Sequence, residues 1–399
     1  MRGALTGLLL LSAPTAMASH SVTFVIDMRQ EIAAGRFDPK AATVGVRGGV
    51  APLSWVTTTP AKDADGDGRY EVTVTFPRAP FGSQPVAYKF KVDRDGPPNS
   101  GWEEGRNRQV RLGGERQTLE RPFDSPPEPI ARERTGDIRT HAGFASKLVL
   151  ARDVQVYLPP RYDQETALRY PVLYLQDGQN VFDAAAVGMD WQVDETAELL
   201  IRSGAISPLI VVAVSNTEAR TDEYTPTFVD RALPDGMKVR GGGKASLYAR
   251  FLVEELKPFI DRTYRTRTDP ASTAIGGSSH GGLVSLYVAL EHPEVFGHAL
   301  VMSPSAMWDD DVLIKRVRAL PRKLPVRFWL DTGLLEHPGM VAAARRLRDA
   351  LLAKGWHEGQ DLRFVEQAEG GHDEISWASR VPDALQFLWP RNRRSPSSR

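Results

Sequence analysis

The sequence predicts a two-domain protein, a small antiparallel β-sandwich of the immunoglobulin-like kind followed by a larger α/β domain with a mostly parallel sheet. Three observations carry this. Short alternating apolar and polar runs extend to about residue 118, a proline-rich break follows, and beyond it short apolar runs alternate with helical segments. With 399 residues, 41% of them hydrophobic, the chain is long enough for a large core and more than one domain.

The first stretch, "MRGALTGLLLLSAPTAMASH", places Arg2 before an apolar run and ends in the small-x-small pattern Ala16-Met17-Ala18. This predicts a signal peptide over residues 1–18 and a secreted or periplasmic protein. No later run approaches the ~20 apolar residues that span a bilayer. Cysteine is absent, which excludes disulfides, thiol nucleophiles and thiolate metal sites. Lys+Arg and Asp+Glu are both 50, so no net field gathers nucleic acid or acidic membranes.

Within residues 20–118, "SVTFVIDM", "ATVGVRG", "YEVTVTFP", "VAYKFKVD" and "NRQVRL" read as strands separated by Gly, Pro and Asp-rich turns. The stretch 119–135 contains Pro122, Pro126, Pro127 and Pro129 and reads as a stiff linker. From 136 to 390, "KLVLA" and "DVQVYLPP" lead into the buried-strand runs "PVLYLQDG", "PLIVVAVS" and "STAIGG". Helical spacing is plain in "KASLYARFLVEELKPFIDRTY", and "GMVAAARRLRDALLAKG" ends in a basic turn and Gly355. Residues 391–399, basic and without apolar anchors, read as a disordered tail.

The chemistry centres on "AIGGSSHGGLVSLY". A nucleophile elbow needs glycine two residues before and two after its serine, because the turn from strand to helix is tight. Ser279 satisfies this through Gly277 and Gly281, whereas Ser278 does not, since His280 stands where its glycine would be. The flanking strand and helix runs are those of an α/β-hydrolase, and the helix start favours negative charge, with the His280 amide placed to donate to an oxyanion.

A serine hydroxyl needs a base, and in this fold the order is serine, acid, histidine. Among His280, His292, His298, His337 and His372, the last stands out. It follows a strand-like run and the Gly370-Gly371 loop, where a helix could begin. For the acid, Asp331 and Glu336 both follow the strand "VRFWL", and spacing leaves the two open. The second oxyanion donor is expected after an earlier strand, in "YLQDGQNVFD", at the Gln179 amide. "NTEARTDEYTP" reads as a substrate-facing insertion, in which Arg220 meets an anionic or phenolic group or forms a structural salt bridge.

Residues from about 136 to 390 resemble the esterase family that includes enterochelin esterases, feruloyl esterases, esterase D and the mycolyltransferases. The resemblance rests on "YLQDGQNVFD", "EYTP", "LKPFIDRTYRT", "GGSSHGGLVSLY", "PEVFGHALVMSPS" and "GGHDEISW". It implies an acid three residues after a glycine in the loop after the penultimate strand, which is Glu336 after Gly333. The first domain is similar to family 20 carbohydrate-binding modules through "PLSW", "VAYKFKV" and "GWEEGRNRQV". That likeness implies glycan contacts at Trp55, Lys89, Trp102 and Asn107.

The loop "DADGDGRY" fails as a calcium site because Val74 stands where a bidentate Glu is needed, so no metal is assigned. The expectation is therefore a cofactor-independent serine ester hydrolase with the set Ser279, His372 and Glu336. Its substrate would be a small-molecule or glycan ester, with polysaccharide held by the first domain. Acyl transfer to a sugar hydroxyl is the alternative from the same site. A glycan-binding protein with an inactive hydrolase domain is the alternative from another class.

Overall fold

The computed structural model describes residues 19–55, 57–77, 85–93, 101–105, 107–112, 115–126, 134–232 and 238–390. The expected signal peptide, residues 127–133 of the expected linker and the expected tail lie outside the described residues.

An eight-stranded sheet organises the larger part of the chain. Its strands run in the order Leu362–Gln367, Arg327–Gly333, His298–Pro304, Thr273–Ser279, Val172–Gln176, Ile210–Val214, Arg152–Leu158 and Asp137–Phe144. The strands from Leu362–Gln367 to Ile210–Val214 are parallel, and the last two join antiparallel at one edge. Val172–Gln176 and Ile210–Val214 are buried along their whole length, which is why their sequences are uniformly apolar.

Alternation along those strands sorts side chains between two cores. Val172, Tyr174, Ile210, Val212 and Val214 pack with Tyr248, Leu252, Leu283 and Leu286 on one face. Leu173, Leu175, Val211 and Ala213 pack with Val193, Ala197, Val381 and Leu385 on the other.

The expected strand "KLVLA" does not form. The Ser146 hydroxyl accepts the amides of Leu148 and Val149 at 3.0 and 3.1 Å, and Glu255 takes the Lys147 amide at 3.1 Å. Side-chain bonds thus claim the amides that a ladder would need, and Asp137–Phe144 forms the edge strand instead. The long helix from Ala245 to Thr263 is present but passes through a π-helical segment at Phe251–Leu256. The helix Pro338–Ala353 ends, as its sequence predicts, just before Gly355, at φ +102°.

The first part of the chain forms two sheets over one core. One has the order Arg69–Phe76, His20–Asp27, Arg116–Pro122; the other has Thr59–Pro60, Thr43–Gly48, Val86–Asp93, Arg108–Val110. Val22, Phe24 and Ile26 from the first meet Val44, Val46, Tyr88 and Phe90 from the second. Two details differ from expectation. Arg116–Pro122 pairs with His20–Asp27 in parallel, and it carries the pairing past residue 118 into the stretch expected to be linker. Pro122 is tolerated because it lies on an edge strand, at its end.

Candidate active site

Ser279 closes the strand Thr273–Ser279 and stands immediately before the helix His280–Glu291, with φ +55° and ψ −122°. Of the two glycines expected around it, Gly277 is sterically required and Gly281 is closely approached. A Cβ on Gly277 would stand 2.6 Å from the Gly281 carbonyl carbon, and one on Gly281 would stand 3.0 Å from Asp177 Oδ2. Ser278 is buried in the strand, 3% exposed. The Ser279 hydroxyl reaches toward Ser305 Oγ, 3.4 Å away.

His372 stands one residue before Asp373, which caps the helix Glu374–Leu388 by accepting the Ser376 amide at 2.8 Å. His372 Nδ1 lies 3.1 Å from Glu336 Oε2. The other Glu336 oxygen accepts the Gly333 amide at 2.7 Å and the Ser303 hydroxyl at 2.5 Å. Burial alone would raise this carboxyl. The bonds from His372, Ser303 and Gly333 outweigh it and hold Glu336 below its ordinary range.

Asp331, the other acid at this strand end, is committed elsewhere. It accepts the Ser303 amide at 3.1 Å and Trp329 Nε1 at 2.7 Å, and it pairs with Arg380 at 3.3 Å. Burial pushes its carboxyl up, against the pull of Arg380. Of the two acids left open by spacing, Glu336 is the one joined to His372.

Gln179 lies in the short 3-10 turn Gly178–Asn180, directly after Val172–Gln176, the strand that neighbours the elbow strand. A Cβ on Gly178 would stand 2.5 Å from the Ala213 carbonyl carbon, so the turn lies flat on the next strand only with glycine there. The turn is pinned from behind. Asp177, at φ +59°, accepts Asn216 Nδ2 at 2.6 Å and Arg220 Nε and Nη2 at 2.7 and 2.8 Å. The Arg220 of the expected insertion thus forms the structural salt bridge.

The His280 amide lies in the first turn of its helix, where amides have no intrahelical acceptor. Its ring meets Ser305 Oγ at 2.9 Å and Trp308 edge to face at 5.4 Å. Burial, reinforced by Arg220, pushes this imidazole down to about 4, so it is neutral at pH 7.

No hydrogen bond joins Ser279 to His372 in this conformation, in which the serine faces Ser305; such bonds often tighten only with substrate bound. Sequence reasoning did not find Ser303, Ser305 or Arg380. The available signal was "SPS" at the end of the strand beside the elbow.

Trp55, Lys89, Trp102 and Asn107 do come together, but not on a separate surface. They line a cleft of about 430 Å³ whose other wall holds His372. Among the described residues, the acidic group that could hold a cation is Asp63, Asp65 and Asp67. It forms a turn in which Asp63 accepts three backbone amides.

An elbow serine on a mostly parallel sheet, with a histidine and a carboxylate after later strands, defines an α/β-hydrolase-like fold. The model of the family described as "Putative esterase" matches residues 146–388, and the chain belongs to that family, as a serine esterase. Among relatives, the ferri-bacillibactin esterase BesA of Bacillus subtilis is 30% identical over 222 residues, 52% of this chain and 74% of BesA. The iron(III) enterobactin esterase of Escherichia coli K12 is 32% identical over 145 residues, 35% of this chain and 33% of that protein. Among solved structures, the enterobactin esterase FES of Shigella flexneri aligns with a TM-score of 0.61 at 19% identity, over 87% of this chain and 88% of that one. That coverage exceeds what residues 136–390 supply, so the likeness of fold takes in the N-terminal sheets.

Proposed function

We propose that this esterase works through Ser279, His372 and Glu336 and forms an acyl-enzyme. Ser279 Oγ attacks the ester carbonyl while the free His372 nitrogen takes its proton; Glu336 Oε2 holds Nδ1–H and stabilises the imidazolium. The His280 and Gln179 amides receive the oxyanion. His372 then returns the proton to the departing alcohol, and water releases the acid by the same route reversed.

The observation that carries this reading is the His372–Glu336 contact, in which the second carboxylate oxygen is already bound by Gly333 and Ser303. The substrate we propose is an ester of a carbohydrate, a phenolic acid or a siderophore, in keeping with relatives named for bacillibactin, enterobactin and feruloyl esters. We also propose export, which the signal-like N-terminal stretch supports, and an immunoglobulin-like sandwich, with which two sheets over one core are in keeping.

Hydrolysis of an ester panel by the purified chain, with free acid and free alcohol both quantified, tests this. Equal release of both, abolished in Ser279→Ala, is expected. Turnover that persists in Ser279→Ala would overturn the assignment.

A further inference from the structure

We propose that the N-terminal sheets supply the binding wall for the alcohol part of the ester, and that this part carries a polyhydroxylated ring such as a pyranose. The proposal rests on the serine-hydrolase reading above.

Position comes first. The cleft of about 430 Å³ has Trp55, Lys89, Trp102 and Asn107 on one wall and His372, Asp373 and Glu374 on the other. That volume suits a ligand of one or two rings. His372 lines it, and the histidine of such a set is the group that hands a proton to the leaving alkoxide. Space against that ring is therefore space for the alcohol.

The two walls are also fixed to one another. Ala87 packs with Met189 and Ile375 in a buried apolar cluster that Trp55 covers. Gln109 Nε2 donates to the Gly188 carbonyl. A Cβ on Gly49 would stand 3.1 Å from Trp55 Nε1 and 3.2 Å from Asp373 Oδ2, so the N-terminal backbone approaches the residue next to His372 closely.

The lining chemistry then selects the ligand. Trp55 and Trp102 lie with ring centroids 6.2 Å apart and planes inclined at 53°, offering apolar faces for C–H surfaces. Arg47 and Lys91 sit against the Trp102 ring and hold it. Lys89 spends one N–H on the Gly105 carbonyl and keeps others; Asn107 both donates and accepts; Asp373 and Glu374 bring carboxyl groups. Donors and acceptors together match hydroxyls.

The test uses the full chain and three esters of one acid, with methanol, phenol or the 6-hydroxyl of methyl glucoside as the alcohol. For Trp55→Ala, Trp102→Ala and Lys89→Met, the ratio of kcat/KM on the glucoside ester to that on the methyl ester should fall about tenfold, with partial recovery in Trp102→Phe. Unchanged ratios in folded variants that still take a fluorophosphonate at Ser279 would overturn the wall and leave the hydrolase reading intact. A fall confined to the phenyl-to-methyl ratio would overturn the sugar in favour of an aryl ring. A wild-type chain that takes no fluorophosphonate and hydrolyses none of the three would overturn the functional reading itself.

Discussion

His372 and Glu336 are joined by one oxygen only: Nδ1 lies 3.1 Å from Oε2, while Oε1 is held by the Gly333 amide and the Ser303 hydroxyl. The carboxylate is therefore fixed before substrate arrives. Glu336→Gln presents an amide where an acceptor is needed and disfavours the productive tautomer. We expect kcat to fall by about a hundredfold to ten-thousandfold with little change in melting temperature, measured on a hydrolysed ester.

Asp331 should behave in the opposite way. Asp331→Asn leaves the buried Arg380 without its counter-charge, and unfolding by urea should show a loss of about 3 kcal/mol. kcat per fluorophosphonate-reactive site should stay within a few-fold of wild type. A collapse of kcat without loss of stability would exchange the roles of the two acids.

Ser279 adopts φ +55° and ψ −122°, a conformation that glycine accepts more readily. Ser279→Gly should abolish turnover and raise stability by about 1 kcal/mol, read as an increased melting temperature. A lower melting temperature would show that the elbow is not strained.

Arg220 holds Asp177, the residue before the turn proposed to supply the second oxyanion donor. Arg220→Gln should lower kcat about tenfold with little effect on KM, because a loosened turn weakens a bond made in the transition state. A rise in KM alone would place Arg220 against the substrate instead.

Glu374 and His280 give the fold opposing pH dependences. Burial, with Asp373 and Asp177 nearby, pushes the Glu374 carboxyl up to about 7 from an ordinary 4.5. The unfolded chain thus loses this proton first, and the stability Glu374 contributes below pH 4.5 is lost as pH rises toward 7. Burial pushes His280 down to about 4 from 6.5, so its contribution to stability falls as pH drops through that window. Glu374→Gln should gain stability relative to wild type between pH 4.5 and 7, by on the order of 2 kcal/mol after solvent screening. Urea melts at pH 5 and pH 7.5 check the sign; no pH dependence in the difference would contradict it.

Much of this architecture was legible because its signals are local. The elbow is spelled out by Gly277, Ser279 and Gly281 between an apolar strand and an apolar helix, and uniformly apolar runs marked the central strands. The role of Arg220 rested on a partner, Asp177, that lies 43 residues away in sequence. "KLVLA" misled because its β-like composition lost to side-chain bonds from Ser146 and Glu255. Trp55, Lys89, Trp102 and Asn107 were recognisable as a group, but their position beside His372 depends on how the N-terminal sheets pack against the rest of the chain, which no local pattern records.

Fluorophosphonate labelling of the purified chain, with peptide mass spectrometry, tests the central claim most directly. Modification at Ser279, abolished in Ser279→Ala and strongly slowed in His372→Ala, is the predicted result. A folded chain that takes no label, or takes it at another serine, would contradict the assignment of Ser279 and His372 as nucleophile and base.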